Sequence, residues 1–400
     1  MANQYDAPGV YIEYLPTAGR PIQGVGTSTA LFVGPCPGAK IGFDTPKAVT
    51  NFTQFLHHFG SENPAADDFI HGVGGFFANG GTRCYCIATK DAKGVIGDAA
   101  KRTGLWAAAG IDEPALLAIP GVTDLAVQKA AIAFCEQRRD VFAILDAPSE
   151  VPDLDALTKA GRVSASRPSD DAPAAGAEAK GLNPGPSEQG FASFNFPWIT
   201  VTHHRTQEPV LAPASGHLAG LYARTDAQRG VHKAPANEIV VGALDVAYNV
   251  AKGELGMLNR AGVNVIRAFP RRGIRMFGAR TVADQNSEWR YVNVKRFLIF
   301  VEETLKQALM DAVFDSNDQF LQASMRMRIS SWLEQQRRAG ALTGSSPEQA
   351  YFVKCDAENN PPEAVAAGEI RVDVGLAIVR PAEFVIVRLS QSADAAAASA

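Results

Sequence analysis

No apolar run in this 400-residue chain approaches the roughly 18 residues of a membrane-spanning helix. The opening MANQYDAPGVYIEY has neither the basic segment nor the apolar core of a secretory signal, so the chain is expected to be made and folded in the cytoplasm. Cysteine is scarce. The five residues Cys36, Cys84, Cys86, Cys135 and Cys355 are an odd, scattered set, which argues against a disulfide framework. Cys84 and Cys86 share one side of an expected strand, but no second Cys or His pair has the spacing of a zinc site. Neither sign of charge dominates. A net charge of −4 gives no general pull toward nucleic acid or anionic membrane.

Catalytic signatures are missing as well. Gly24-Val25-Gly26 does not complete GxGxxG, and the stretch from Gly340 to Gly344 and its two serines lacks the lysine of a Walker loop. His57 and His58 on a helix, and His203 and His204 at a strand end, head no HExxH pattern and read as solvated or hydrogen-bonded surface residues. Ser215-Gly216-His217 brings a hydroxyl and an imidazole close in sequence, but triads assemble from distant segments and there is no GxSxG elbow. An α/β hydrolase-like or nucleotide-binding enzyme is the alternative class. No catalytic, cofactor or metal residue is expected.

What is present is a globular composition, 46% hydrophobic and 20% charged, long enough for about two or three domains. Val10, Tyr11, Ile12, Glu13, Tyr14 and Leu15 alternate as a strand without an adjacent hairpin partner. A strand follows at Ala30 to Gly34. Two amphipathic helices come next, one carrying Phe52, Phe55, Leu56 and Phe59 with Thr50 or Asn51 as cap, the other Phe69 to Phe77 with Asp67 and Asp68 in its first turn. Arg83 to Thr89 reads as a strand. Leu116 to Ile119, a helix capped by Asp124, and Val141 to Leu145 form a βαβ unit with parallel pairing. Residues 151–189 read as a long surface loop rich in Ala, Pro, Gly, Ser and Asp. Phe194 to Thr202 is a strand broken at Pro197.

The stretch from Gly216 to Phe300 is dense in Gly, Arg and Asn. Its Arg267, Arg271, Arg272, Arg275 and Arg280, with Phe269 and Phe277 interleaved, form the strongest charge feature. Such a cluster can bind nucleic acid, but an acidic chain without a nucleic-acid motif favours arginines paired with carboxylates within or between subunits. Farther on, Val294 to Ala312 keeps helical spacing with Asn293 as cap, and Leu321, Met325, Ile329 and Trp332 mark a second helix ended at Gly340. Tyr351 to Lys354 is a short strand. Ile370, Val372, Val374, Leu376 and Ile378 alternate strictly, predicting a strand with one covered face. Phe384, Val385, Ile386, Val387, Arg388 and Leu389 form a last strand before an alanine-rich tail.

Taken in order, PGVYIEY, TSTALFVGPCPG, FFANGGTRCYC, FPWITV, SGHLAGLYARTDAQRGVHKAPANE, AGVNVIRAFPRRGIRMFGART, WRYVNVKRFLIFVEE, FVKCDAENNPPE and VRPAEFVIVRLSQ are similar to the sheath protein of contractile phage tails and related contractile injection systems. The resemblance implies a mixed α/β (α+β) fold. Its sheath core is built from N- and C-terminal segments, with an inserted βαβ-containing outer region and terminal β-strand arms. The expected parts are an arm at 1–26, core at 27–91, an outer variable region at 92–190, core at 191–380, and an arm and tail at 381–400. It also implies a non-enzymatic subunit that stacks as hexameric rings into a helical sleeve and contracts without ATP. The implied partners are further copies of itself, an inner tube protein, and baseplate and terminal cap proteins, with no nucleic acid and no direct membrane insertion. The setting is a phage tail or a released or cell-held contractile particle; a two-protein type VI sheath fits less well, since both terminal regions match within one chain. Val10 to Leu15 and Phe384 to Leu389 would be the arms that add strands to a neighbour's sheet. Contacts to the tube would be largely electrostatic, with Glu302, Glu303, Arg326, Arg328, Arg337 and Arg338 as candidates.

Overall fold

A computed structural model describes residues 21–161 and 181–383. Both expected arm strands, Val10 to Leu15 and Phe384 to Leu389, lie outside these residues, as does the middle of the 151–189 loop.

Short apolar runs form the strands, some buried on both faces and others, such as Pro209–Ala212 and Glu238–Ile239, open to solvent. In chain order the first twelve are β1 (Ala30–Pro35), β2 (Lys47–Val49), β3 (Cys84–Thr89), β4 (Leu116–Ala118), β5 (Phe142–Asp146), β6 (Ala192–Phe196), β7 (Ile199–Thr202), β8 (Pro209–Ala212), β9 (Glu238–Ile239), β10 (Asp245–Val246), β11 (Val263–Phe269) and β12 (Gly273–Phe277). Nine of them form one mixed sheet in the order β2-β3-β1-β4-β5-β6-β11-β12-β9. From β3 to β11 all neighbours are parallel; β2, β12 and β9 add antiparallel edges. The central strands are buried end to end, as in FAILD of β5, which is the signature of parallel strands sheltered on both sides. Pro197 breaks the run from Phe194 to Thr202 so that β6 stays in the large sheet while β7 joins the separate sheet β10-β7-β8.

The helices follow their caps. In α1 (Phe52–Phe59) Asn51 accepts the Gln54 amide, and in α3 (Leu125–Arg138) Asp124 accepts those of Ala126 and Val127. Between them, α2 (Asp67–Ala78) carries two aspartates in its first turn, where the helix dipole favours them. The β4-α3-β5 unit is parallel and adjacent, as its spacing predicts.

The described chain divides into two compact units, one of residues 27–297 with 379–383, the other of residues 21–26 with 298–378. The boundaries expected at 92 and 190 do not coincide with this division, because β4 and β5 lie in the middle of the nine-stranded sheet. The 151–189 loop is not wholly superficial either. Asn183 and Ser187 are buried, and Ala160 bridges to Asn183.

The first unit also contains α4 (Ser215–Arg229) and α5 (Lys252–Arg260). Helix α6 (Val292–Leu309) begins in it. Asn293 is therefore inside the helix and not its cap; its amide donates to the carbonyls of His232 and Val379. In the second unit, Phe300 of α6 packs on Trp332 of α7 (Gln319–Arg338) with ring centres 5.7 Å apart. Gly24 passes so close that an added Cβ would stand 2.7 Å from the Phe300 ring, and the Val25 amide donates to Thr304. That phosphate-loop candidate is thus a packing segment. Two strands, β13 (Tyr351–Lys354) and β14 (Asp373–Leu376), pair antiparallel. The strand predicted from Ile370 to Ile378 is shorter than its pattern. All five of its alternating apolar residues are half-buried, so the face predicted to be covered is covered only in part within the described residues.

Candidate assembly surfaces

The arginine cluster splits in two. Arg267, Arg271, Arg272 and Arg275 sit on the β11–β12 hairpin, where Arg267 and Arg272 lie 5.4 and 5.8 Å from the Phe269 ring centre and Phe277 is exposed beside it. Arg275 donates to the carbonyls of Asn237 and Arg272. Among the described residues none of these four forms an ion pair with a carboxylate. Arg280 differs. It is buried, and its guanidinium donates through Nε (2.9 Å) and Nη2 (2.5 Å) to the two oxygens of Glu383, while Nη1 donates to the Asn259 carbonyl. Burial alone would raise the Glu383 carboxyl; the hydrogen bond and charge of Arg280, with the charge of Arg290, reverse this and hold it below its ordinary range. The sequence pattern could not separate one buried arginine from four outward ones in a single Arg-rich segment.

A second buried pair escaped the sequence reading altogether. Arg296 and Asp226 are joined by two charge-assisted hydrogen bonds of 3.0 and 2.6 Å, with each side chain only 3% exposed. Thr27 donates its hydroxyl to the same carboxylate and accepts from Arg296 at its carbonyl.

Ser215 is committed to a buried carboxylate. Asp146, at the end of β5, accepts the Ser215 amide at 2.7 Å and its hydroxyl at 2.5 Å. Burial pushes the Asp146 carboxyl up to about 7, against the lowering effect of those bonds. His217, next on α4, is buried against the backbone of Gly75 and held down to about 4 by burial. The close approach of α2 and α4 is made by glycine: a Cβ on Gly216 would lie 2.1 Å from the Gly72 carbonyl oxygen, and one on Gly220 2.3 Å from that of Phe76. His71 of α2 meets His203 and His204 after β7, and these three are the described side chains that cluster as metal ligands do.

The second unit exposes large apolar side chains. Met310, Val313, Phe314, Phe320, Met327 and Phe352 are all exposed, Phe314 completely. Of the charges expected to meet a tube, Arg337 and Arg338 pair with Glu334, Glu303 pairs with Lys306, and Arg328 donates to the Ala308 carbonyl. Arg326 lines an open groove with Phe320, Met327 and Val353.

Reactive-looking groups are thus held in packing, and the exposed side chains are apolar in one unit and arginine-rich in the other. Comparison with known proteins identifies the family. Residues 97–282 match the phage tail sheath protein central domain and residues 284–392 the phage tail sheath C-terminal domain; the chain belongs to the phage tail sheath protein family. The tail sheath protein of Vibrio phage KVP40 is 24% identical over 176 residues, which are 43% of this chain and 25% of that protein. The chain thus aligns with only about a quarter of that relative's length. The sheath of the extracellular contractile injection system PVC, in its contracted state, superposes with a TM-score of 0.77 at 28% identity, covering 98% of this chain and 99% of that one. The contracted helical sheath of the anti-feeding prophage gives 0.73 at 28% identity, covering 97% and 100%.

Proposed function

We propose that this chain is the structural subunit of a contractile sheath, which polymerises as stacked hexameric rings around an inner tube and shortens to drive the tube through a target envelope. The carrying observation is the likeness to the contracted PVC sheath over 98% of the chain. The exposed apolar side chains of the second unit support it, since such a patch is suited to cover by another protein. The subunit needs no catalytic site in this reading, because contraction releases free energy stored when the sleeve assembled in its extended state. Baseplate association follows from the likeness to the anti-feeding prophage baseplate structure, at 27% identity.

Subunits are joined by their termini: residues Val10 to Leu15 and Phe384 to Leu389 add strands to a neighbour's sheet, where backbone hydrogen bonds close an exposed edge. The test is electron microscopy of two truncations, one lacking residues 1–15 and one lacking 384–400. Glu383 must be kept, because it neutralises buried Arg280. Each truncated subunit is expected to stay folded and soluble and to form no sleeves; normal tubes from either would refute the arm assignment. An enzyme or nucleotide binder would instead show ligand-dependent thermal stabilisation.

A further inference from the structure

Two arginines stand directly opposite each other on the β11–β12 hairpin. The register pairs Arg267 with Arg275, Val265 with Phe277 and Phe269 with Gly273, so these residues share one face. Ile266, Ile274 and Met276, on the other face, are buried. The side that carries Arg267, Phe269, Arg275 and Phe277 is therefore the one turned away from the core. Like charges directly opposite on an antiparallel pair repel. No described carboxylate pairs with either guanidinium, and residues 263–279 contain neither Asp nor Glu. Arg271 and Arg272 carry the same sign around the turn.

The face is held in shape. Arg275 donates to the carbonyls of Asn237 and Arg272, Arg272 donates to the Asn237 side chain, and the rings of Phe269 and Phe277 meet at 5.1 Å. A partner meets arginines that are already ordered, which lowers the entropy cost of binding. Arginine beside aromatic rings is also a composition enriched where proteins meet. The matching occupant carries carboxylates among apolar side chains. Between α6 and α7 the chain has such a segment: residues 310–320 read MDAVFDSNDQF, and no basic residue occurs from 307 to 325. Asp318 caps α7, while Asp311 and Asp315 are exposed and without an ion pair among the described residues. Met310, Val313, Phe314 and Phe320 are exposed around them.

We propose that the β11–β12 hairpin receives the 310–320 loop of a second copy of this chain, Asp311 and Asp315 meeting the arginines and Phe314 packing on Phe269 and Phe277. Two different patches joined in this way propagate from copy to copy and do not close a dimer. The proposal rests on the reading of the chain as a polymerising subunit. To test it, Arg267→Glu/Arg275→Glu and Asp311→Lys/Asp315→Lys are made in the full chain, separately and together. Electron microscopy reads tubes and sedimentation velocity reads association. Each pair alone should weaken association at least about tenfold and abolish tubes, and the fourfold variant, with its charges exchanged, should recover both. The loop variant leaves the hairpin untouched and gives the reading should the hairpin variant misfold by circular dichroism. A second measurement is independent of tubes. Arg271→Cys/Phe314→Cys, oxidised with copper phenanthroline, should give a ladder of disulfide-linked oligomers, since all five native cysteines are buried. Wild-type chain that forms no tubes, beside a variant that gives the ladder, would refute the sheath reading and leave this contact standing. Normal tubes from either charge variant, a folded fourfold variant without recovery, or absence of the ladder would each overturn the proposal.

Discussion

Replacing Asp226 with alanine isolates the energetics of the buried pair. The substitution leaves the Arg296 guanidinium 3% exposed, with the Thr27 carbonyl and the face of Tyr222, 5.3 Å away, as its remaining described contacts. Breaking a buried pair by removing one partner costs about 3–5 kcal/mol, because the surviving charge keeps its desolvation penalty and loses its compensation. At about 2–4 °C per kcal/mol for a large domain, the melting temperature should fall by roughly 6–20 °C. Urea denaturation followed by fluorescence measures the free energy, and differential scanning fluorimetry the midpoint. The double variant Asp226→Leu/Arg296→Met removes both charges and should recover most of the loss, since apolar replacement of an entire buried pair is often near neutral. A loss under about 1 kcal/mol in Asp226→Ala, or a double variant as unstable as the single, would refute an electrostatic origin.

Two further predictions concern the same unit. Asp146 titrates near 7 in the fold against an ordinary value of 3.8, so the native state holds its proton more tightly than the unfolded chain. Its contribution to stability is complete below about 3.8 and is lost as pH rises through 7. Asp146→Asn should therefore flatten the decline in stability across that window, measured by urea titrations between pH 5 and 8; a wild-type and variant difference that does not change with pH would count against it. Gly216→Ala should destabilise by roughly 1–3 kcal/mol or more, because the new methyl meets backbone and not a movable side chain. A neutral effect in thermal denaturation would mean that α2 and α4 can separate at little cost.

Local structure was legible in the sequence where a residue acts on its near neighbours. Asn51, Asp124 and the aspartates of α2 mark helix starts by chemistry confined to one turn, and β4-α3-β5 follows from spacing. What escaped depends on long-range placement. Asn293 has the chemistry of a cap, yet it sits inside α6, where the carbonyls of His232 and Val379 take its amide. Gly216 and Gly220 read as loose texture, but each is needed for two backbones to touch. His203 and His204 read as solvated or hydrogen-bonded surface residues because their partners, Asp67 and His71, are more than a hundred residues away. Alternation from Ile370 to Ile378 correctly signals extended chain, but among the described residues Asp373–Leu376 pairs with a strand and Ile378 adds a single bridge to Leu342.

The Arg280–Glu383 contact has a mechanical meaning. Glu383 is the last described residue, and it is moored to an arginine whose backbone amide is bonded to Asn264 of β11, in the nine-stranded sheet. A pull on residues 384–400 therefore reaches this carboxylate first and is shared between the backbone and the guanidiniums of Arg280 and Arg290. The segment beyond it has a fixed point of departure, whatever it joins. A force-bearing link of this kind yields first at its side-chain ion pairs to Arg280 and Arg290.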